Sequence, residues 1–139
     1  MLDAEDGFFA HIAERMGYTV SRETLRVDQI WRDSGRKVVL ALEHEGWYAG
    51  IERELENLSA VDAPLKVLVT YVRDTEHGWR PFKLAEQVKK HLNESAEKND
   101  FLLIVGNNAA NEWVGFRFFP ELTFRVDVIP PPTPGLRET

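Results

Sequence analysis

The sequence of 139 residues contains no cysteine, so disulfide bonds and thiolate metal sites are excluded. It also lacks any apolar stretch near the roughly 20 residues that a transmembrane helix requires. The first sixteen residues, MLDAEDGFFAHIAERM, are acidic and amphipathic, without the basic start or the apolar centre of a signal peptide. These absences together predict a cytoplasmic protein that does not enter a membrane.

Basic residues are in the minority, because 17 Lys and Arg against 23 Asp and Glu give a formal net charge of −6. That balance argues against a protein that holds nucleic acid by bulk electrostatics, although it is compatible with a local basic face. Apolar residues make up 43% and charged residues 29% of the chain, as in globular domains. Without internal repeats or linkers, residues 1–129 are interpreted as one domain, and the Pro-rich tail 130–139 as extended or disordered.

The hydrophobic periodicity predicts an α/β fold. Apolar residues at helical spacing predict helices at 5–16, near 48–60 and from Pro81 onward. Between the first two helices, residues 24–45 are predicted to form a two-strand hairpin that turns at Asp33–Arg36. Continuous or alternating apolar residues predict four later strands, at 65–72, 101–105, 112–119 and 122–128. A hairpin followed by a helix and then by a buried strand predicts a single mixed β-sheet flanked by helices.

Ionisable residues interrupt the hairpin at two places. Asp28 lies among apolar neighbours on the first strand, and the second strand begins as an apolar run but ends at Glu43-His44-Glu45. Side chains alternate across a strand, so Glu43 and Glu45 face one side and His44 the other. If the strands pair, Asp28 comes close to both glutamates, and three carboxylates form an oxygen-rich pocket suited to a hard divalent cation. The alternative is a solvated strand end without a functional role.

These residues and the order of the elements resemble the restriction-endonuclease-like, or PD-(D/E)XK, nuclease superfamily over residues 5–106. Its motif is an aspartate followed by acid-any-lysine on adjacent strands of an αβββαβ core, which extra C-terminal strands would extend here. The resemblance implies that Asp28 and Glu43 bind Mg²⁺ or Mn²⁺, with Glu14 of the first helix as an additional acidic ligand. Glu45 stands where the family usually has lysine, as it does in some restriction enzymes, and is included among the metal ligands.

The activity implied by this resemblance is metal-dependent hydrolysis of phosphodiester bonds in DNA or RNA. A divalent ion between carboxylates acidifies a bound water and neutralises the charge that builds on the phosphate. Without the motif lysine, Glu45 could act as the base, or Lys66 on the neighbouring strand could supply the cation. The alternative for Lys66 is a position at a strand end with its ammonium group in water.

A second interpretation is a catalytically inactive member of the same superfamily that serves as a binding or assembly module. The missing lysine and the acidic net charge favour it. A homodimer or a larger complex is compatible with either interpretation, because the chain has little room for a separate specificity domain.

Several other polar and aromatic residues are interpreted as structural. Three glutamates of the second helix, Glu52, Glu54 and Glu56, are assigned to its solvated face. His44 is expected to be packed or hydrogen-bonded, and the other histidines lack metal-ligand spacing, so zinc is not expected. Three aromatic residues in loops or helix starts next to the expected site, Trp47, Tyr48 and Trp79, are assigned to the core between helices and sheet, with stacking on bases as the alternative.

Overall fold

The computed structural model describes residues 2–24, 27–45, 51–72, 81–107, 112–120 and 125–129. The helices within these ranges are α1 (Leu2–Arg15), α2 (Ile51–Ser59) and α3 (Pro81–Glu94). The strands are β1 (Thr19–Thr24), β2 (Val27–Arg32), β3 (Val38–Glu45), β4 (Leu65–Val72), β5 (Asp100–Asn107), β6 (Glu112–Phe119) and β7 (Arg125–Ile129). The predicted tail at 130–139 lies outside the described residues.

These seven strands belong to one mixed sheet, and their spatial order, β1-β2-β3-β4-β5-β6-β7, is the order along the chain. The first three strands pair antiparallel, β3, β4 and β5 pair parallel, and β5, β6 and β7 pair antiparallel again. Parallel neighbours need a crossover connection, and α2 and α3 lie in the two crossovers. The predicted α/β class and the mixed sheet flanked by helices are therefore confirmed.

The sequence analysis did not predict strand β1. Its sequence, TVSRET, has little apolar character, and its pairing with β2, for example Val20 with Trp31, places it at the edge of the sheet. Polar and charged residues are common on edge strands, because one side of such a strand faces no neighbour. With β1 included, residues 2–72 have the element order αβββαβ.

The turn between β2 and β3 lies where the sequence predicts it. The Oδ1 atom of Asp33 accepts hydrogen bonds from the backbone N–H groups of Gly35 and Lys37, both at 2.9 Å. Arg36 adopts a left-handed conformation with φ of 65°. An aspartate that bonds the backbone two residues later is a common way to stabilise a turn. The turn lies at the far end of the hairpin from Asp28 and Glu43.

The two faces of the sheet are covered by different helices. Side chains such as Ala41 and Leu68 pack under α2 and α3, and this side is called the α2–α3 face. Their neighbours along the strands, such as Leu42 and Val69, point the other way and pack with Phe9 of α1. That side is called the α1 face. Because residues of a strand alternate between the faces, Glu43 lies on the α2–α3 face and His44 on the α1 face.

The helix predictions hold with local corrections. Gly17 follows α1 with a positive φ of 86°, the left-handed conformation that is typical of a glycine at a helix C-terminus. Three apolar residues of the predicted helices, Phe8, Met16 and Phe82, are each 61% exposed instead of buried. Phe82 still contacts Phe116 edge-on, with the ring centroids 5.3 Å apart. Among the helices that the structure describes, none has the length and apolar character needed to cross a bilayer.

Candidate functional site

Asp28 and Glu43 lie opposite each other on β2 and β3, one residue beyond the paired residues Gln29 and Leu42. The backbone N–H of Asp28 donates to Glu43 Oε1 at 2.9 Å, and the backbone N–H of His44 donates to Asp28 Oδ2 at 2.6 Å. Each carboxylate therefore binds the backbone of the neighbouring strand. The structure brings these two side chains together as the hairpin predicts.

Helix α2 adds a third carboxylate that the sequence analysis assigned to solvent. Glu54 is only 8% exposed, and it lies on the buried stripe of α2 with Ile51, Leu55 and Leu58. It follows Ile51 by three residues and precedes Leu58 by four, which is the spacing of one helix face. Glu52 and Glu56 are exposed as predicted, so the correction concerns Glu54 alone.

The other two carboxylates act on the titration of Glu43. Burial raises the pKa of Glu43, and the negative charges of Asp28 and Glu54 raise it further. Hydrogen bonds from the Asp28 backbone and the Asn57 side chain act in the opposite direction. The result is a pKa of about 8 instead of the ordinary 4.5, so Glu43 is mainly protonated at neutral pH. A cation among these carboxylates would favour the ionised form and displace the proton.

The structure does not bring Glu14 to this site. Glu14 is exposed in the last turn of α1. Phe9 of the same helix packs on the α1 face, whereas Glu43 lies on the opposite face of the sheet. Glu45 is the last residue of β3 and its backbone pairs with Thr70 of β4, but its side chain lies outside the described part of the chain. The assignment of Glu45 to the site stays a prediction.

Lys66 is engaged elsewhere. Its side chain is 2% exposed and its Nζ donates to Glu97 Oε1 at 2.6 Å. The other carboxylate oxygen of Glu97 accepts hydrogen bonds from the backbone N–H groups of Lys98 and Asn99 and from Asn99 Nδ2, each at 3.1 Å. The expectation of an ammonium group in water is wrong, because this ion pair buries it. Nor does the structure direct this cation to the carboxylates, since it stabilises the turn between α3 and β5.

A polar cleft of about 290 Å³ lies beside this ion pair, lined in part by Ser59, Lys66 and Glu97. Ser59 Oγ lies 2.8 Å from His91 Nε2, which is the distance of a nucleophile from its base. The hydroxyl proton of Ser59, however, is donated to the carbonyl of Leu55 at 2.9 Å. His91 must then donate through Nε2 and cannot accept the proton. The pair joins α2 to α3 and is not an activated nucleophile.

His44 is packed and hydrogen-bonded, as predicted. Its Nε2 lies 3.1 Å from the hydroxyl of Tyr71, and its ring meets Phe9 edge-on at 5.7 Å between centroids. Both contacts are on the α1 face, away from Glu43. The aromatic residues that the sequence places near the hairpin and the fourth strand, Trp47, Tyr48 and Trp79, lie outside the described residues.

The donor set at Asp28, Glu43 and Glu54 fits a hard divalent cation by its chemistry, because Mg²⁺ and Mn²⁺ prefer carboxylate oxygens. Within the described ranges, no three His, Asp or Glu side chains are already arranged around a common point for a metal. One oxygen each of Asp28 and Glu43 is held by the backbone. Binding of a metal ion by all three carboxylates would therefore require their side chains to rearrange.

Comparison with known proteins assigns the chain to no family: no family model matches it, and no curated protein matches it either.

Proposed function

We propose that this protein is a metal-dependent phosphodiesterase that acts on nucleic acid, with a Mg²⁺ or Mn²⁺ ion held by Asp28 and Glu43. The observation that carries the proposal is the pair of carboxylates on adjacent strands, one half-buried at Asp28 and one buried at Glu43, each bound to the backbone of the other strand. The element order αβββαβ over residues 2–72 also supports it, because that is the core of the restriction-endonuclease-like superfamily that the sequence resembles.

The side chains of the site have distinct roles in this proposal. Asp28 and Glu43 hold the ion, and Glu54 adds a third negative charge from α2. Asn57 orients Glu43 by a hydrogen bond. A bound ion supplies a water of lowered pKa and neutralises charge on the phosphate. Glu45 keeps the role of base that the sequence analysis considers for it, because Lys66 is bound to Glu97.

A second candidate function is that of an inactive nuclease-like domain that serves as a binding or assembly module. The observation that favours it is the ion pair between Lys66 and Glu97. This pair engages the lysine that was considered as a replacement for the motif lysine. In that case a bound metal ion would only stabilise the domain, and the domain would bind another protein or a second copy of the chain.

Calorimetric titration with Mn²⁺ tests the proposal directly. We expect saturable binding to the wild type, and loss of that binding in the double variant Asp28→Ala, Glu43→Ala. Glu52→Ala is the matched control, because Glu52 is an exposed glutamate on the same helix as Glu54. Cleavage of DNA or RNA oligonucleotides should fall by more than about 100-fold in Glu43→Ala. Substitution of residues that only hydrogen-bond to a metal ligand can already reduce activity by up to about 100-fold.

The outcomes separate the two candidates. Metal binding without cleavage of any DNA or RNA substrate would favour the inactive module. Cleavage that persists undiminished in Glu43→Ala would show that the activity resides in other residues or in a contaminant. Absence of Mn²⁺ binding together with absence of cleavage would refute the enzyme.

A further inference from the structure

Thr70 is a buried polar residue in the middle of the sheet. It is 0% exposed, and among the residues that the structure describes its Oγ1 atom has no hydrogen-bond partner. Its neighbours on β4 include Leu68 and Val69, which are also fully buried. A valine would fill nearly the same volume without a polar atom. Buried hydroxyl groups nearly always have a partner, so this one requires an explanation.

The position of Thr70 relates it to the carboxylates. It follows Leu68 by two residues and therefore lies on the α2–α3 face, the face that carries Glu43. In the parallel pairing of β3 with β4, Leu68 is in register with Glu43, and Thr70 is in register with Glu45. Thr70 is thus one strand away from Glu43 and two residues closer to the end at which β3 stops.

The chemistry of the site calls for a neutral donor. Asp28, Glu43 and Glu54 are all hydrogen-bond acceptors when ionised, and their negative charge repels a phosphate group. A cation offsets that repulsion but does not by itself orient the phosphate oxygens. A hydroxyl group can donate one hydrogen bond to such an oxygen without adding charge.

We infer that substrate binding uncovers Thr70, which is 0% exposed in this structure, and that its hydroxyl then donates a hydrogen bond to a non-bridging phosphate oxygen, so that Thr70 is a substrate-binding residue of this site. The inference rests on the proposed function and adds to it a residue outside the motif. It explains why a buried hydroxyl group has no partner among the described residues: its partner is the substrate. The residue binds the phosphate only, so it contributes equally to DNA and RNA.

Two variants at this position test the inference. Thr70→Val removes the hydroxyl and keeps the shape, and Thr70→Ser is the matched control that keeps the hydroxyl. Each is compared with the wild type in Mn²⁺ titration, in metal-free thermal unfolding, and in cleavage of DNA and RNA oligonucleotides and of bis(p-nitrophenyl) phosphate.

For Thr70→Val we expect an unchanged Mn²⁺ affinity, an unfolding temperature equal to or above that of the wild type, and a KM raised about tenfold, the effect of one lost hydrogen bond to a charged group. Thr70→Ser should keep the wild-type KM within about threefold.

A wild-type KM in Thr70→Val would overturn the inference. So would a clear fall in its metal-free unfolding temperature, because the hydroxyl would then have a partner inside the protein. In both cases the proposed function survives, since the wild type still binds Mn²⁺ and cleaves. A wild type that neither binds Mn²⁺ nor cleaves any of these substrates refutes the proposed function and this inference together.

Discussion

Two buried glutamates, Glu43 and Glu97, have opposite surroundings in this protein. Glu97 receives the Lys66 ammonium on one oxygen and three N–H donors on the other. Glu43 accepts a hydrogen bond from the Asp28 backbone, and the charges acting on it are those of two more carboxylates, Asp28 and Glu54. Both are nearly inaccessible to water: the Glu97 side chain is 6% exposed and the residue Glu43 is 5% exposed.

The difference separates a stabilising carboxylate from one that is suited to bind a ligand. A buried charge is tolerated when it is paired and hydrogen-bonded, as at Glu97. Burial without a cation among the described residues does the reverse at Glu43, and together with two negative neighbours it raises the pKa of Glu43 to about 8. Functional sites often contain groups whose pKa values are perturbed in this way. Glu43 is therefore interpreted as a site residue, and Glu97 as part of the fold.

Breaking the ion pair should have the largest effect on stability. Lys66→Met leaves the buried Glu97 carboxylate without its cation, and we expect a loss of about 3–5 kcal/mol in the free energy of unfolding. Urea denaturation at neutral pH measures it. The control is Lys90→Met, because Lys90 lies 3.9 Å from Glu94 at the surface of α3, where such a change costs at most about 0.5 kcal/mol.

Equal losses in Lys66→Met and Lys90→Met would mean that burial does not strengthen the dependence of Glu97 on its partner. The double variant Lys66→Met, Glu97→Gln refines the result. A glutamine carbonyl can still accept from the N–H groups of Lys98 and Asn99, so we expect it to recover part of the loss.

Neutralising Glu43 should increase the free energy of unfolding, by an amount that depends on pH. The folded protein holds a proton on Glu43 up to about pH 8, whereas an unfolded chain releases it near pH 4.5. The folded state binds more protons between these values, so this residue lowers the free energy of unfolding as pH rises through that window. Glu43→Gln removes this decline. Above pH 8 we expect the free energy of unfolding of the variant to exceed that of the wild type by on the order of 2 kcal/mol.

Denaturation of metal-free protein at a series of pH values measures this effect, with Glu52→Gln as the exposed control on α2. The two curves for wild type and Glu43→Gln should converge toward pH 4.5. Parallel curves across the whole range would show that Glu43 does not titrate abnormally.

Glu54→Gln should have the smallest effect. Its negative charge is a lesser cause of the raised pKa of Glu43 than burial and Asp28, so its removal should lower that pKa while leaving it above 4.5. The proton uptake of Glu43, followed by NMR of the side-chain carboxyl carbon, gives the midpoint in both proteins. An unchanged midpoint would mean that the charge of Glu54 does not act on Glu43.

The parts of the fold that sequence reasoning predicted are those with strong local signals. The apolar run at β4 and the turn chemistry of Asp33 each determine their element with little help from distant contacts. The approach of Asp28 to Glu43 followed from the hairpin alone, because pairing register and alternation decide which side chains meet.

Residues were misassigned for two reasons. Some positions are decided by contacts between distant parts of the chain, and acidic residues of a helix were assumed to be exposed. Glu54 lies at the helical spacing of Ile51 and Leu58, so its burial was readable from the sequence, but acidic residues of a helix were assumed to be solvated. For Lys66 and Glu14 no such local signal exists. The partner of Lys66 is 31 residues away, and the face on which α1 packs is decided by the assembled sheet.

The agreement between sheet order and chain order has a consequence for how the protein forms during synthesis. Each strand pairs with the one made just before it, so the sheet can grow in the direction of translation without waiting for a distant segment. Asp28, Glu43 and Glu54 are all within α2 or earlier elements. These three carboxylates can therefore come together while the second half of the chain is still being made.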